Sequence, residues 1–273
     1  MTTTIALLSP GAMGSALGRR LVEGGARVLT SLVARGPQSV ARAREAGMED
    51  APDDVLTGAD LILSVVPPAE AEPLLRRLLP AAARAGNRPL YVDANALAPA
   101  TKRRLAGLAE ETGIAFVDAC IIGGPQAPTL YAAGPDAQHA MLLGERGLDL
   151  RLLDGPVGAA AALKMCYSGI NKGLVGLATA MLRAADQAGA AGALRDEMAR
   201  SMPDLATRFA RQVPDMYPKA GRWVAEMEEI AAFLGDDAGG ATVFAGMARL
   251  YAAMAADDGT ARAALTRALG EGA

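Results

Sequence analysis

The residues best equipped for chemistry lie in one apolar stretch, Gly158 to Gly173. Lys164, Tyr167, Ser168 and Asn171 stand at i, i+3, i+4 and i+7, so on a helix they share a face. A lysine partly buried on such a helix has its pKa lowered from about 10.4 and exchanges protons near neutral pH. The competing reading is a lysine whose stem lies along a core helix while its amine snorkels to water. Spacing alone leaves both open.

A second group lies at the first strand–helix junction. Ser9-Pro10-Gly11-Ala12-Met13-Gly14 follows the short apolar run Thr3–Leu8. In the pattern G-x-G-x-x-G, the glycines give a tight turn, close approach of a pyrophosphate, and close helix packing. Ser9 stands in the first glycine's place, while Gly11 and Gly14 fit the second and third. The helix start beyond Gly11 offers N–H groups and a partial positive charge to an anion. An ordinary tight turn is the bland alternative. The position on the first strand of a βαβ unit favours a dinucleotide site built from Pro10, Gly11, Ala12, Met13 and Gly14. The second strand should end in an acid if it holds a free ribose 2′-hydroxyl, yet the chain carries none from Thr30 until Glu45. It carries Arg35 instead, with Ser31 and Ser39 as further donors, which suits a 2′-phosphate and so NADP. A solvated surface Arg is the alternative.

The elements that must position these groups alternate. Strands are expected at Thr3–Leu8, Arg27–Leu32, Asp60–Val66, Pro89–Ala94 and Ile114–Ile122. Helices are expected at Ala12–Glu23, Gln38–Ala46, Ala69–Ala85 and Ala100–Thr112, the first stopped by Gly24-Gly25. This predicts an α/β fold with a doubly wound parallel sheet, a Rossmann domain whose ligand lies at the strands' carboxyl ends. Beyond Gly155 only helices are expected: Ala159–Ala188, Arg195–Arg211, Arg222–Leu234, Thr242–Ala255 and Thr260–Leu269, with Pro203, Pro214 and Pro218 as breaks or kinks. The expected division is 1–155 for the nucleotide and 156–273 for an all-α domain.

Composition sets the outer limits. The chain has 273 residues, net charge −3 and a 51% hydrophobic fraction. That gives a sizeable core and no basic footprint for nucleic acid. A lone His139 excludes two-histidine metal motifs, and Cys120 and Cys166 are too few for a disulfide scaffold or cysteine-rich zinc site, so no metal is expected. No signal peptide is visible. The longest apolar stretch, Gly158 to Leu182, contains Lys164, Asn171 and Lys172 and reads as a buried helix, not a membrane span. A cytoplasmic location is the expectation. His139 reads as surface, Cys120 and Cys166 as core, and the methionines of the helical half as core or dimer packing.

In the order of these motifs the chain resembles the β-hydroxyacid dehydrogenase and 6-phosphogluconate dehydrogenase superfamily. The resemblance rests on Pro10 to Gly14, Val66-Pro67-Pro68, Asp93-Ala94-Asn95, Asp118 to Gly124, and the frame Lys164-Met165 through Gly169-Ile170 to Gly173. The segment Arg222-Trp223-Val224 to Glu229 is similar to a C-terminal domain of a phosphogluconate-dehydrogenase-like branch. The resemblance implies NAD(P)-dependent hydride transfer between a hydroxy acid and its oxo form, and the expected function is an NADP-dependent dehydrogenase or reductase of a small hydroxy or oxo compound. The resemblance also implies a helical, dimerising second domain, hence a homodimer, with Lys164 as the proton relay. It places Val66, Pro67 and Asn95 with the cofactor, and Ile122, Gly123 and Gly124 with the substrate. Ser168, Asn171 and Tyr167 would orient the substrate, and Trp223, with Arg222 and Glu226, would cap it, from the same or the partner subunit.

The departures are informative. A serine is usual where Ile122 stands, an asparagine at Ser168, a histidine at Tyr167, and in 6-phosphogluconate dehydrogenases a glutamate at Asn171. A branched alkyl group donates no hydrogen bond and Asn171 does not titrate, so a decarboxylating reaction is not expected. Two alternatives stand beside the dehydrogenase: an imine reductase on the same fold, kept open by Tyr167, and a non-catalytic NADP-binding protein.

Overall fold

The computed structural model describes residues 2–270. Eight strands form one sheet in the order β3-β2-β1-β4-β5-β6-β7-β8. They are β1 (Thr4–Leu8), β2 (Arg27–Thr30), β3 (Glu49–Asp50), β4 (Leu61–Ser64), β5 (Leu90–Asp93), β6 (Phe116–Ile122), β7 (Thr129–Ala133) and β8 (Asp149–Leu152). Helices α1 (Ala12–Glu23), α2 (Pro37–Glu45), α3 (Asp53–Leu56), α4 (Pro68–Arg84) and α5 (Pro99–Glu110) connect the first six strands. On β1 the pleat sends Ile5 and Leu7 into one core with Leu17 and Leu21 of α1, and Ala6 and Leu8 into another with Leu74 and Leu78 of α4. Burial on both faces explains why the strand is apolar without alternation. The order reverses between β1 and β4, the switch point where a doubly wound sheet opens a crevice.

The sheet is not wholly parallel. β7 pairs antiparallel with β6, and β8 runs parallel to β7. The link from Ile122 to Thr129 holds no helix and is too short for a crossover, so the chain must turn back as a hairpin. A 3-10 turn at Ala137–Ala140 and a short helix, α6 (Met141–Glu145), lead to β8. His139 lies on that turn with its side chain 70% exposed, at the surface as expected.

The helical part comprises α7 (Ala159–Gln187), α8 (Ala191–Ser201), α9 (Pro203–Met216), α10 (Ala220–Leu234), α11 (Ala238–Ala255) and α12 (Thr260–Leu269). The helix expected over Arg195–Arg211 is broken at Met202, which leaves the helical region at φ −140° because Pro203 follows it. The chain divides into two compact units between Lys164 and Met165, inside α7.

Glycines on α7 let α11 come close. A Cβ on Gly169 would lie 3.2 Å from the Phe244 ring, and one on Gly176 would lie 2.5 Å from the Met247 sulfur. Met216, Met227 and Met254 are buried in this unit, whereas Met202 is exposed. Cys166 is exposed, not core. It belongs to an outward stripe of α7 that continues through Tyr167, Ile170, Leu177 and Met181. Among the described residues no helix is long and apolar enough to cross a membrane, and no group of His, Cys, Asp and Glu could hold a metal ion.

Candidate active site

The turn after β1 has the geometry that its sequence only partly declared. Ser9 adopts φ +83°, the conformation a glycine would take at no cost. A Cβ on Gly14 would stand 2.0 Å from the Ser9 carbonyl oxygen, so only glycine lets α1 start this close to the strand. Gly11 caps α1 with no side-chain hydrogen bond and no acid in the first turn, and nothing lies within 4 Å of where its Cβ would be. Ser15 turns its hydroxyl back to donate to the Gly11 carbonyl, so it serves none of the helix's amides. The first turn of α1 thus presents N–H groups and the positive end of a dipole to open space, which suits a pyrophosphate.

At the end of β2, Arg35 keeps its side chain 29% exposed and its guanidinium 3.5 Å from the Glu70 carboxylate. Ser39 lies on the first turn of α2, half-buried. Scanning forward from β2 finds no acid before Glu45, yet the fold supplies one from a neighbouring strand. Asp50, in register with Thr30, accepts the Leu32 amide at 2.9 Å. Glu70 therefore pairs with the expected phosphate-binding arginine, and Asp50 holds the backbone three residues before it.

The ends of β4 and β5 share a buried polar network with Asp118 of β6. Asn95 accepts the Val66 amide at 2.6 Å and donates to Ser64 and to Asp93, both at 2.8 Å. Pro67, next to Val66, is exposed, whereas Asn95 is 3% exposed with both ends of its amide held by protein. Asp93 also meets the Nζ of Lys102, at 2.6 Å, and the same Nζ lies 3.4 Å from Asp118. Lys102 is wholly buried and the sequence reading missed it, since Thr101 to Arg104 looks like a solvated face of α5. The available signal was Asp93 beside Asp118: two acids in register on adjacent buried strands require a cation. At the end of β6, Ile122 is half-buried. Gly123 takes φ +95° with its missing Cβ 2.5 Å from the Ala127 carbonyl, so the Gly123-Gly124 turn is fixed by sterics.

Lys164 is half-buried on α7. Its charge reaches Cys120 of β6, whose thiol burial pushes up to about 11 against the pull of that lysine. Farther along α7, Ser168 accepts from Lys172 at 2.8 Å, and Lys172 also pairs with Glu226. Its amine lies 5.7 Å from the centre of the Trp223 ring, which packs edge-on against Tyr251. Arg222 also comes within 3.8 Å of Glu226. Asn171 donates to the Tyr167 carbonyl at 2.9 Å and accepts from Arg208 at 2.5 Å. Tyr167 itself is 51% exposed. Ser168 and Trp223 thus meet through Lys172, and Asn171 meets Arg208 of α9; Glu226 was expected beside Trp223, whereas Lys172 and Arg208 had not been singled out.

Comparisons agree with this architecture. Residues 4–134 match the NAD-binding domain of 6-phosphogluconate dehydrogenase, and residues 185–254 match DUF1932, a domain of unknown function. A 3-hydroxyisobutyrate dehydrogenase of Pseudomonas aeruginosa is 32% identical over 135 residues, which are 47% of this chain and 44% of that enzyme. The match therefore spans less than half the length of that relative. A solved conserved protein of unknown function, described as structurally similar to 3-hydroxyacid dehydrogenases, superposes with TM-score 0.80 at 26% identity over 96% of this chain and 98% of its own. A Mycobacterium tuberculosis 3-hydroxyisobutyrate dehydrogenase, solved with L-serine, shares the fold at TM-score 0.74 and 21% identity, covering 94% and 95% of the two chains.

Proposed function

Given that the chain belongs to the β-hydroxyacid dehydrogenase and 6-phosphogluconate dehydrogenase-like superfamily, in a branch with a DUF1932 C-terminal domain, we propose that it is an NADP-dependent dehydrogenase or reductase of a small hydroxy or oxo compound. The observation that carries the reading is the β1–α1 turn: Gly14 packed against the Ser9 carbonyl, and Gly11 open above an uncapped helix start. A bound nicotinamide supplies or accepts the hydride. Pro10 to Gly14 hold the pyrophosphate, with Val66, Pro67 and Asn95 shaping the same end of the sheet. Arg35 and Ser39 take the 2′-phosphate, for which Arg35 must exchange Glu70.

Lys164 takes the proton from the substrate hydroxyl in oxidation and returns it to the oxygen in reduction. The amides of Gly123 and Gly124 bind the substrate's polar end, beside the apolar Ile122. Ser168, Asn171 and Tyr167 orient the substrate, and Trp223 closes over it. Asn171 offers no titrating group, so the reaction stops without loss of carboxylate. The second unit supports a homodimer, because the stripe of Tyr167, Ile170, Leu177 and Met181 is more than half exposed at each of these residues.

The test is direct. Purified protein is titrated with NADPH and NADH, then assayed with NADP+ and 3-hydroxyisobutyrate, and in reverse with small oxo acids and cyclic imines. The expected result is preference for NADPH, turnover of the hydroxy acid, and loss of that turnover in Lys164→Met with NADPH binding intact. Unchanged turnover in Lys164→Met removes the relay. Turnover of cyclic imines alone replaces the hydroxy-acid reading with an imine reductase. Sedimentation reports the dimer.

A further inference from the structure

We propose that Lys102 and Asp118 are positioning residues: the buried pair fixes the first turn of α7, and with it Lys164, against the β5 turn that carries Asn95. The assignment rests on the reading of Lys164 as proton relay. Its basis is the partner accounting of the network.

A helix begins with amides that have no partner inside the helix. The residues before α7, Pro156-Val157-Gly158, offer no side chain to accept them. Asp118, forty residues earlier on β6, does so instead: its Oδ2 accepts the amides of Gly158 at 2.8 Å, Ala160 at 3.0 Å and Ala161 at 3.3 Å. Helices α1, α2, α4 and α5 of the same unit have no side-chain cap at all. The close approach depends on Gly158, which takes φ +104° and whose Cβ would lie 3.3 Å from the Pro99 carbonyl. Lys164 follows Ala160 by one helical turn, so the direction set at the first turn reaches it with little slack.

The other oxygen of Asp118 has no hydrogen bond and faces the Lys102 amine at 3.4 Å. That amine gives its three protons elsewhere: to the Asp93 carboxylate at 2.6 Å, the Asp93 carbonyl at 2.6 Å and the Ala119 carbonyl at 2.9 Å. One side chain from α5 thereby ties β5 to β6 where Asp93 and Asp118 stand in register. Asp93 in turn holds Asn95, whose oxygen accepts the Val66 amide. The network runs unbroken from the turn proposed for the cofactor to the helix of the proton relay. Lys102 touches neither substrate nor cofactor in this account. It acts through Asp118 and Asp93.

The experiment uses the full chain with Asp118→Asn and Lys102→Met. Amide exchange is measured over residues 158–161, and the rate of acylation of the Lys164 amine is measured at fixed pH with Lys219 as internal reference. In folded Asp118→Asn the amides of Gly158, Ala160 and Ala161 exchange faster, and Lys164 labels at a rate severalfold different from wild type while Lys219 does not change. The kcat for 3-hydroxyisobutyrate falls about ten- to hundredfold, with NADPH affinity within about twofold of wild type. Should Lys102→Met fail to fold, Asp118→Asn, of the same shape, decides alone. Unchanged Lys164 labelling in folded Asp118→Asn overturns the proposal, whether or not kcat falls. If wild type does not oxidise the acid but the labelling still shifts, the relay reading falls and the positioning stands.

Discussion

Lys102 and Lys172 each meet a carboxylate, in different units, and the contrast between them separates two kinds of polar cluster. Lys102 is sealed: its side chain and those of Asp93 and Asp118 have no exposure at all. Lys172 is left partly open, with side-chain exposures of 16% for itself and 34% for Glu226. A charge with no access to water must find its partners in the protein, and the first cluster does so by tying the ends of β4 and β5, the middle of β6 and a helix start together. A cluster with access to water can exchange partners. Lys172 shares Ser168, Glu226 and the Trp223 ring, which fits the substrate-facing role proposed for Ser168 and Trp223. On that proposal the first cluster is a brace and the second a contact surface.

Substitutions in the two clusters should differ in kind and size of effect. Lys102→Met strands two buried carboxylates and should destabilise the protein by about 3–5 kcal/mol, read by urea unfolding. A loss below about 1 kcal/mol would mean that the cluster is not closed. Gly14→Ala, placed on the rigid side, forces a Cβ against the Ser9 carbonyl and should weaken NADPH binding about a hundredfold, or about 2.7 kcal/mol. Equal affinity would show that the helix start is not the cofactor's seat. Lys172→Met on the open side should cost about 1 kcal/mol of stability or less. Its effect should appear in KM for 3-hydroxyisobutyrate, with Trp223→Ala changing KM in the same way without unfolding. An effect of Lys172→Met on stability as large as that of Lys102→Met would erase the distinction. Smallest of all, Ser9→Gly relieves the positive φ and should change stability by about 1 kcal/mol or less, in the stabilising direction in thermal unfolding. A clear destabilisation would mean that the Ser9 side chain contributes more than its strain.

The alternation of strand and helix was readable because β1, β4 and β6 are apolar runs and the turns between them carry glycine and proline. The bounds of α1 and α12 match the sequence reading. The hairpin into β7 was not readable, because Thr129–Ala133 is short and β8 is a largely exposed edge strand without an apolar signature. At the site, the glycines of the first turn were visible because sterics demand them. Lys102 was hidden because its burial depends on tertiary packing, and Asp50 because it reaches β2 from another strand. Cys166 was assigned to the core from its place beside the shared face of the lysine helix, although α7 keeps one apolar stripe outward.

Hydride transfer to a bound NADP can be followed with an isotope. The protein is incubated with NADP+ and 3-hydroxyisobutyrate deuterated at its carbinol carbon, and the reduced cofactor is examined by NMR and mass spectrometry. One deuterium is expected on the nicotinamide ring, and none when Lys164→Met replaces the wild type. Reduced cofactor without deuterium, or no reduction by the wild-type chain with this acid or its deuterium-free form, would contradict hydride transfer.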